Sequence, residues 1–535
     1  MGAIMPDYQR IAFASTLTVM ILSFALGSCT AESPSGSAAD RKALVDYLID
    51  KTMEREAFSP IKNERLNLDV EAAMRAYEDE VVGAKTEQEM FYALAKLSNA
   101  RHDRHLSVRG IEGGLTEPEL YPGDDVVPPT APIRTEIDYS DEDTVSFFIM
   151  DLPTGEEFDA GAELGDKIVA VNGVDIATRF EQSRPYFRYS TELGYRKKFA
   201  QAFPSRTGML PPEFYSDTLQ LTLEKVGGET IDISLPYVDA EMVEWASELV
   251  DEYPGFELVA DRGAFDLYLN TDDKPVMVID WHRFNEYLVE DIDWLTAYAA
   301  ENDLLDHDII WDGTKSGGGS RGAYAIQRLS PKPFKTTFGN LRISDVIPAF
   351  IAEKVKAYEE RQLLDGGVPE TIDDGTWLID WLTDDVQKAY EAGQEYSNNV
   401  PFKLAHAPKH SDGILQPADV HFRGNMVCLL GPNGGSHLDQ FVTIVIDNEL
   451  CRTIGMQTGG YSNTWEWDED VTYPGSGRPV IGFMWNIGHT IGPRGQILEG
   501  NPSEIDEYIP LTRQNFSNYK AILLGLALEH LADGQ

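Results

Sequence analysis

Two glycine-rich turns, each directly after an apolar run, hold the residues of this chain best suited to covalent chemistry. The second, Leu430-Gly431-Pro432-Asn433-Gly434-Gly435-Ser436-His437-Leu438-Asp439, sets a serine at a strand-to-helix junction. There the hydroxyl can be exposed at the helix start, and the first-turn N–H groups, with the positive end of the helix dipole, can stabilise a developing oxyanion. Serine is also a favoured N-cap, so the local pattern leaves capping and nucleophilic use both open. It is not a G-x-S-x-G elbow. The first turn, Asp312-Gly313-Thr314-Lys315-Ser316-Gly317-Gly318-Gly319, follows Ile309-Ile310-Trp311. Glycine lets backbone N–H groups face a pocket with no Cβ in the way, which suits an oxyanion or a phosphate. Neither nucleotide-binding glycine spacing is met, Lys315 included, so the oxyanion use is preferred, with tight-turn packing as its alternative.

Other reactive side chains are less well arranged. His102 and His105 are three apart and His406 and His410 four apart, spacings that present two imidazoles to a metal only on a helix, and Pro408 interrupts the second pair. There is no HExxH and no CxxC, so no metal site is expected. Trp465 and Trp467, with Glu466 and Asp468, have the composition of a cleft wall, although aromatic residues more often serve a core.

The elements that must position these residues fall into three stretches. From Arg41 to about Arg101 the pattern is helical: Thr86-x-x-Glu89 caps a helix whose face is Met90, Phe91, Leu94 and Leu97, and which stops near Asn99. Pro128, Pro129 and Pro132 mark a boundary. A β-rich segment then runs to about Val238, with an Asn172-Gly173 hairpin and a second hairpin turning at Gly227-Gly228 between alternating leucines and isoleucines. From about Glu241 strands alternate with helices. Val276 to Ile279 precedes Leu288, Ile292, Leu295 and Ala299 at helical spacing, then Ile309 to Trp311; Met426 to Leu430, a helix and Cys451 to Gly455 repeat the order, implying parallel strands with crossover helices. Residues 330 to 420 are less regular and read as an inserted cap.

Length and composition bound the function. At 535 residues the chain is long enough for roughly three to four domains. With 42% hydrophobic and 25% charged residues it has the composition of a folded globular protein. Lys+Arg 44 against Asp+Glu 89 gives −45, a field that repels phosphate backbones and anionic lipid, so nucleic acid is not an expected partner. The uncharged run Ile11 to Ser28 ends in small residues before Cys29 and has the form of an export signal. Leu26-Gly27-Ser28-Cys29 resembles the bacterial lipoprotein box, in which the cysteine becomes the acylated first residue. An ordinary cleaved signal and an uncleaved anchor are the other readings, and residues 30–40 read as a flexible tether. Cys428 and Cys451 lie in apolar runs and read as free thiols.

Taken in order, the segments resemble the carboxy-terminal processing and tricorn-core serine peptidases. The motifs are Asp103-Arg104-His105 after the helix, Gly165-Asp166-x-Ile168-x-x-Val171-Asn172-Gly173 in a PDZ-like module, Asp312 to Gly319, Ser436-x-x-Asp439, Gly455-x-x-Thr458-Gly459-Gly460, and Leu498-Glu499-Gly500-Asn501-Pro502. One branch of that family pairs its serine with a lysine after the G-x-x-T element; here Gly460-Tyr461-Ser462 occupies the place and no lysine lies between Ser436 and Lys520. The resemblance is therefore to the tricorn-like branch. It implies Ser436 as nucleophile, His105 as base, Glu499 as the residue that orients it through Ser107 or Ser462, and oxyanion donors at Gly318 and His437. Departures are Asn433-Gly434-Gly435 before the serine where Thr-Ala is common, Asp439 in place of Glu, and Ser316 in place of Asn.

The expected architecture is α/β, with a crotonase/ClpP-like core at 241–535 carrying a cap at about 330–420, an N-terminal helical domain at 41–127 that bears His105, and a PDZ-like domain at 128–240. That module would bind peptide by strand addition near Leu164, Gly165 and Ile168. The implied activity is that of an exported, lipid-anchored endopeptidase of the bacterial cell envelope, taking a protein or peptide substrate, touching membrane only through its anchor and needing no cofactor. The alternative is a non-catalytic protein that keeps the fold to bind peptides or apolar ligands.

Overall fold

Two buried apolar stripes account for the N-terminal helices. In a computed structural model that describes residues 36–121, 127–141, 143–155, 158–249, 253–272, 274–364, 376–401, 412–462 and 465–533, α1 (Ala38–Arg55) starts at a Ser37–Asp40 capping box and buries Leu44, Val45, Leu48 and Ile49. The export segment, Cys29, most of the tether, and His406 and His410 lie outside the described residues, as do parts of the expected cap. Helix α2 (Glu87–Asn99) ends where its spacing predicts, with Met90, Phe91, Leu94 and Leu97 fully buried. The Thr86 hydroxyl accepts the Glu89 N–H at 3.1 Å, while the Glu89 carboxylate reaches back to the Lys85 N–H at 2.6 Å, one residue beyond the usual box. No helix of the described residues is long and apolar enough to cross a membrane.

These helices do not bury their stripes alone. Strand β1 (Val108–Arg109), directly after the His105 turn, pairs antiparallel with residues 482–483. The same core takes Leu341, Ile347, Phe350, Trp381 and Leu382 from the expected cap and Trp465 and Trp485 from near the C-terminus. The described part of the cap thus contributes to the N-terminal core, and Trp465 is core.

The second stretch forms a sheet of β2 (Arg134–Ile137), β3 (Phe147–Asp151), β4 (Lys167–Val171), β5 (Thr218–Glu224) and β6 (Thr230–Pro236) in that order, with a short strand, Val174–Asp175, paired to β4. Asn172 and Gly173 both have positive φ, 50° and 75°, the geometry for which an Asn-Gly hairpin turn is selected. Two helices that the alternation does not announce, α3 (Ile176–Ser183) and α4 (Glu192–Ala202), pack on this sheet through Phe180, Tyr195 and Phe199.

The third stretch is a seven-stranded sheet. Strands β7 (Phe256–Asp261) and β8 (Phe265–Asn270) form an antiparallel edge beside β9 (Val276–Trp281); then β10 (Asp308–Asp312), β11 (Met426–Leu430), β12 (Arg452–Gly455) and β13 (Glu507–Tyr508) follow in parallel. Crossover helices α5 (Leu288–Glu301) and α6 (His437–Asp447) supply the expected βαβ units. The β10 and β11 side chains are buried on both faces, which is why they read as unbroken apolar runs rather than alternating ones. The fold is mixed α/β, and the turns after β10 and β11 lie side by side at the strands' C-terminal ends.

Candidate active site

Ser436 is held in a backbone conformation that few non-glycine residues adopt, φ 59° and ψ −121°, at a cost of about 1–3 kcal/mol. Its side chain makes no capping hydrogen bond, so the capping reading does not hold. Instead its Oγ lies 3.2 Å from His105 Nε2. The turn permits this only with glycines before it. A Cβ on Gly434 would stand 2.1 Å from the Ser316 carbonyl oxygen, and one on Gly435 would stand 2.2 Å from the Tyr461 ring. The departure from Thr-Ala is thus matched by an aromatic ring in the space a side chain would need. The Ser436 N–H donates to the Tyr461 carbonyl. Asp439, buried on the first turn of α6, accepts from the Thr458 hydroxyl and from the Gly460 and Tyr461 N–H groups, tying that loop to the serine's helix. Burial pushes the Asp439 carboxyl up to about 7 against those hydrogen bonds.

His105 comes from the turn after α2. Its N–H donates to Asp103 Oδ1 at 3.0 Å, and Asp103 Oδ2 accepts from the Asn486 amide at 3.2 Å. Lys62 Nζ caps the same turn through the carbonyls of Arg101 and His102, at 2.6 and 3.1 Å. The His105 Nδ1 atom is buried without a hydrogen-bond partner, 4.0 Å from Asp103 Oδ1. Glu499 is almost wholly buried; its Oε2 accepts the Ser462 N–H at 2.7 Å, and its Oε1 is unpartnered. One polar atom each of Asp103, His105 and Glu499 lies within 4.8 Å of the other two. Of the two hydroxyls considered as a relay, Ser462 is fully buried against Glu499 with its Oγ unpartnered, whereas Ser107 is half-buried.

Burial lowers the imidazole of His105 below its usual value, with Arg104 and Arg188 adding to the effect and Asp103 opposing it. A neutral ring is the form that accepts a proton. Glu499 moves the other way, well above the carboxylate range, through burial first and the Asp103 charge second. It is kept neutral.

The other glycine turn closes the site from the side. Asp312 is fully buried and bonded to Lys520, to Tyr253 Oη at 3.0 Å and to the Thr314 N–H at 3.0 Å, which anchors the start of the turn. Lys520 is thereby committed to Asp312 rather than to Ser436. A Cβ on Gly318 would lie 2.8 Å from Ser436 Cβ and 3.4 Å from the His437 nitrogen, so the Gly318 backbone packs directly on the serine. Gly319, with φ 142° and Phe284 O only 1.8 Å from any added Cβ, fixes the approach. The Gly318 backbone and the His437 nitrogen therefore flank Ser436, and His437 opens a helix whose first N–H groups have no acceptor within it. The His437 ring, held near pKa 3 by burial, is neutral and accepts the Gly322 N–H at 2.6 Å. A hydroxyl, a neutral imidazole and flanking backbone donors are the parts needed for acyl transfer.

Other sequence candidates fall elsewhere. The His102 ring bonds to Tyr189 Oη at 3.0 Å and does not share a partner with His105. Gly165 has its N–H bonded to the Ile149 carbonyl and its own carbonyl to Arg513; Ile168 is core, so only Leu164 of that trio is exposed. Asp266, Asp280 and His282 bring one ligand atom each within 4.8 Å, a grouping with no spacing signal in the sequence. Sequence reasoning also missed Tyr461, whose ring lies 5.4 Å from that of His105, and Asn486, whose partner is 383 residues away. For Tyr461 the signal was available: an aromatic residue directly after the Gly459-Gly460 pair.

No protein-family model and no curated protein matches this sequence. Among solved structures, mature CPAF complexed with lactacystin aligns over 93% of this chain and 99% of its own, at 14% identity and TM-score 0.67. Mature CPAF aligns over 93% and 98%, at 14% identity and TM-score 0.66. The photosystem II D1 C-terminal processing protease aligns over 88% and 92%, at 10% identity, with a TM-score of 0.39 that is too low to carry an argument. At these identities the likeness is one of fold, and it spans nearly the whole molecule.

Proposed function

Starting from a fold shared with CPAF from end to end, we propose that this chain is a serine-type peptidase. The observation that carries the reading is the 3.2 Å approach of His105 Nε2 to Ser436 Oγ across 331 residues of sequence. Ser436 Oγ attacks the carbonyl carbon of the scissile peptide as His105 takes the hydroxyl proton, a step worth about 10²- to 10⁴-fold. The oxyanion forms against the Gly318 and His437 N–H groups, each worth about 10²- to 10³-fold. Collapse breaks the C–N bond, the imidazolium returns its proton to the leaving amine, and water deprotonated by the same ring hydrolyses the ester. Asp103 positions the His105 turn through its backbone N–H, and Glu499, which accepts the Ser462 N–H, lies beside the ring.

The finer parts of the proposal rest on sequence. The β2–β6 unit is read as PDZ-like, binding an extended peptide at a strand edge, and export with acylation at Cys29 places the enzyme in a bacterial cell envelope. A fluorophosphonate probe tests the central claim: it is expected to label the wild type and not Ser436→Ala, and casein-like substrate should be cut by the wild type and not by His105→Ala. Labelling that survives in Ser436→Ala, or that never occurs, overturns it.

A further inference from the structure

Arginine in this acidic chain is repeatedly matched with carboxylate. Arg184 bonds to Glu181 and Glu192 at 2.6 to 3.2 Å, Arg55 to Asp345 and Glu469, and Arg423 to Asp306. Four residues after Arg184, Arg188 has no such partner among the described residues. With Arg104 and Lys198 it lines a cavity of about 250 Å³ whose lining, among the described residues, contains no acidic residue. None of the three makes an ion pair among the described residues. They come from three places: the turn before His105, the segment after α3, and α4. Lys198 is pushed down to about 8, by burial and then by the charges of Arg104 and Arg188. Like charges gathered in a partly desolvated hollow repel one another, and an anion relieves that repulsion.

The hollow adjoins the reacting pair. The Arg104 guanidinium stands 5.0 Å from the centre of the Tyr461 ring, which lies 5.4 Å from the His105 ring, and the Tyr461 carbonyl holds the Ser436 N–H. A net charge of −45 repels acidic peptides over most of the surface, so a positive hollow beside the reacting pair selects where such a peptide settles. From this arrangement we infer that Arg104, Arg188 and Lys198 form a substrate subsite for a carboxylate, and that the enzyme prefers peptides carrying one within a few residues of the cut. The inference rests on the peptidase reading and names a substrate class for it. Two sources supply that chemistry: an acidic side chain or a free C-terminus. Arginine suits either through its bidentate fork.

The test first establishes fluorophosphonate labelling of Ser436, which requires no carboxylate. Matched peptides are then compared as Glu against Gln at each of the three positions on either side of the cut, and as free acid against amide at the C-terminus. The carboxylate member of one pair is expected to show about tenfold higher kcat/KM, the scale of one charge-assisted hydrogen bond. Which pair shows it identifies the source. Arg188→Gln and Lys198→Gln should each reduce that ratio severalfold, and Lys198→Glu should reverse it in favour of a Lys-bearing peptide, which also separates lost charge from lost folding. A labelled Ser436 with a ratio near one, or a ratio unchanged in both Gln variants, overturns the subsite and leaves the peptidase reading standing. If Ser436 is never labelled, the peptidase reading fails instead, and anisotropy with the same fluorescent peptides decides the hollow: equal affinity for both members of every pair overturns it, and tighter carboxylate binding lost in Arg188→Gln supports it.

Discussion

At Ser436 the backbone is forced into place by close contact: glycines on one side, the Tyr461 ring and the Ser316 carbonyl on the other, with no room for a single added carbon. At His105, 331 residues away in sequence, the turn is held by polar groups instead, through Asp103, Asn486, Lys62 and the neighbouring Glu499. The two halves of one site therefore have different weaknesses. A tightly packed turn fails when volume is added, whereas a buried polar network suffers from isosteric change in proportion to the charge each member bears.

Substitutions can separate the two. The largest effect is expected from His105→Ala, which removes the proton acceptor and should lower kcat by about 10²- to 10⁴-fold in a peptide-hydrolysis assay while leaving thermal stability near that of the wild type. Next, Gly435→Ala places a methyl in the Tyr461 ring and should cost about 10²-fold in fluorophosphonate labelling rate through displacement of the serine. Tyr461→Ala should recover part of that loss in the double variant, a coupling that independent sites would not show. On the polar side, Asp103→Asn should cost more than Glu499→Gln, because burial already pushes the Glu499 carboxyl toward its neutral form, which the amide mimics. An effect of less than about tenfold is expected for Glu499→Gln, and a loss equal to that of Asp103→Asn in a kcat comparison would contradict the neutral assignment.

The pH profile sharpens the contrast with the smallest change. Folding lowers the His105 pKa, so the neutral, base-competent ring persists to lower pH and is lost only as pH falls through the folded value. The acid limb of kcat/KM should therefore lie below about 6.5, the usual value for histidine. A limb at or above that value would mean the imidazole is not desolvated as described. Gly435→Ala should depress the whole profile without moving the limb.

Much of the fold was legible because its signals are local. Thr86-x-x-Glu89 starts α2 and Asn99 ends it; Asn172-Gly173 makes its hairpin through two positive φ angles; β10 and β11 show their double-sided burial as unbroken apolar runs. The antiparallel β7–β8 edge was not singled out, since a short hairpin added to a parallel sheet has no periodicity of its own that distinguishes it from the sheet it joins. That Ile347, Phe350 and Trp381 of the expected cap share a core with Leu44 and Trp485 was not legible either, because those contacts join segments hundreds of residues apart. Ser436 was legible as a residue, but its strained backbone was not, because φ is imposed by Tyr461 and Ser316 rather than by its own neighbours in sequence.

What the amino-acid sequence determined by itself was the set of elements and their order, and with them the two glycine turns that end β10 and β11, because capping, period and turn chemistry act over a few residues. What only the tertiary structure decided was which remote groups meet: His105 with Ser436, Glu499 with Ser462, and Arg104 with Arg188 and Lys198 around one hollow. Burial and electrostatic fields depend on distance in space, and that distance exists only once the chain has closed on itself.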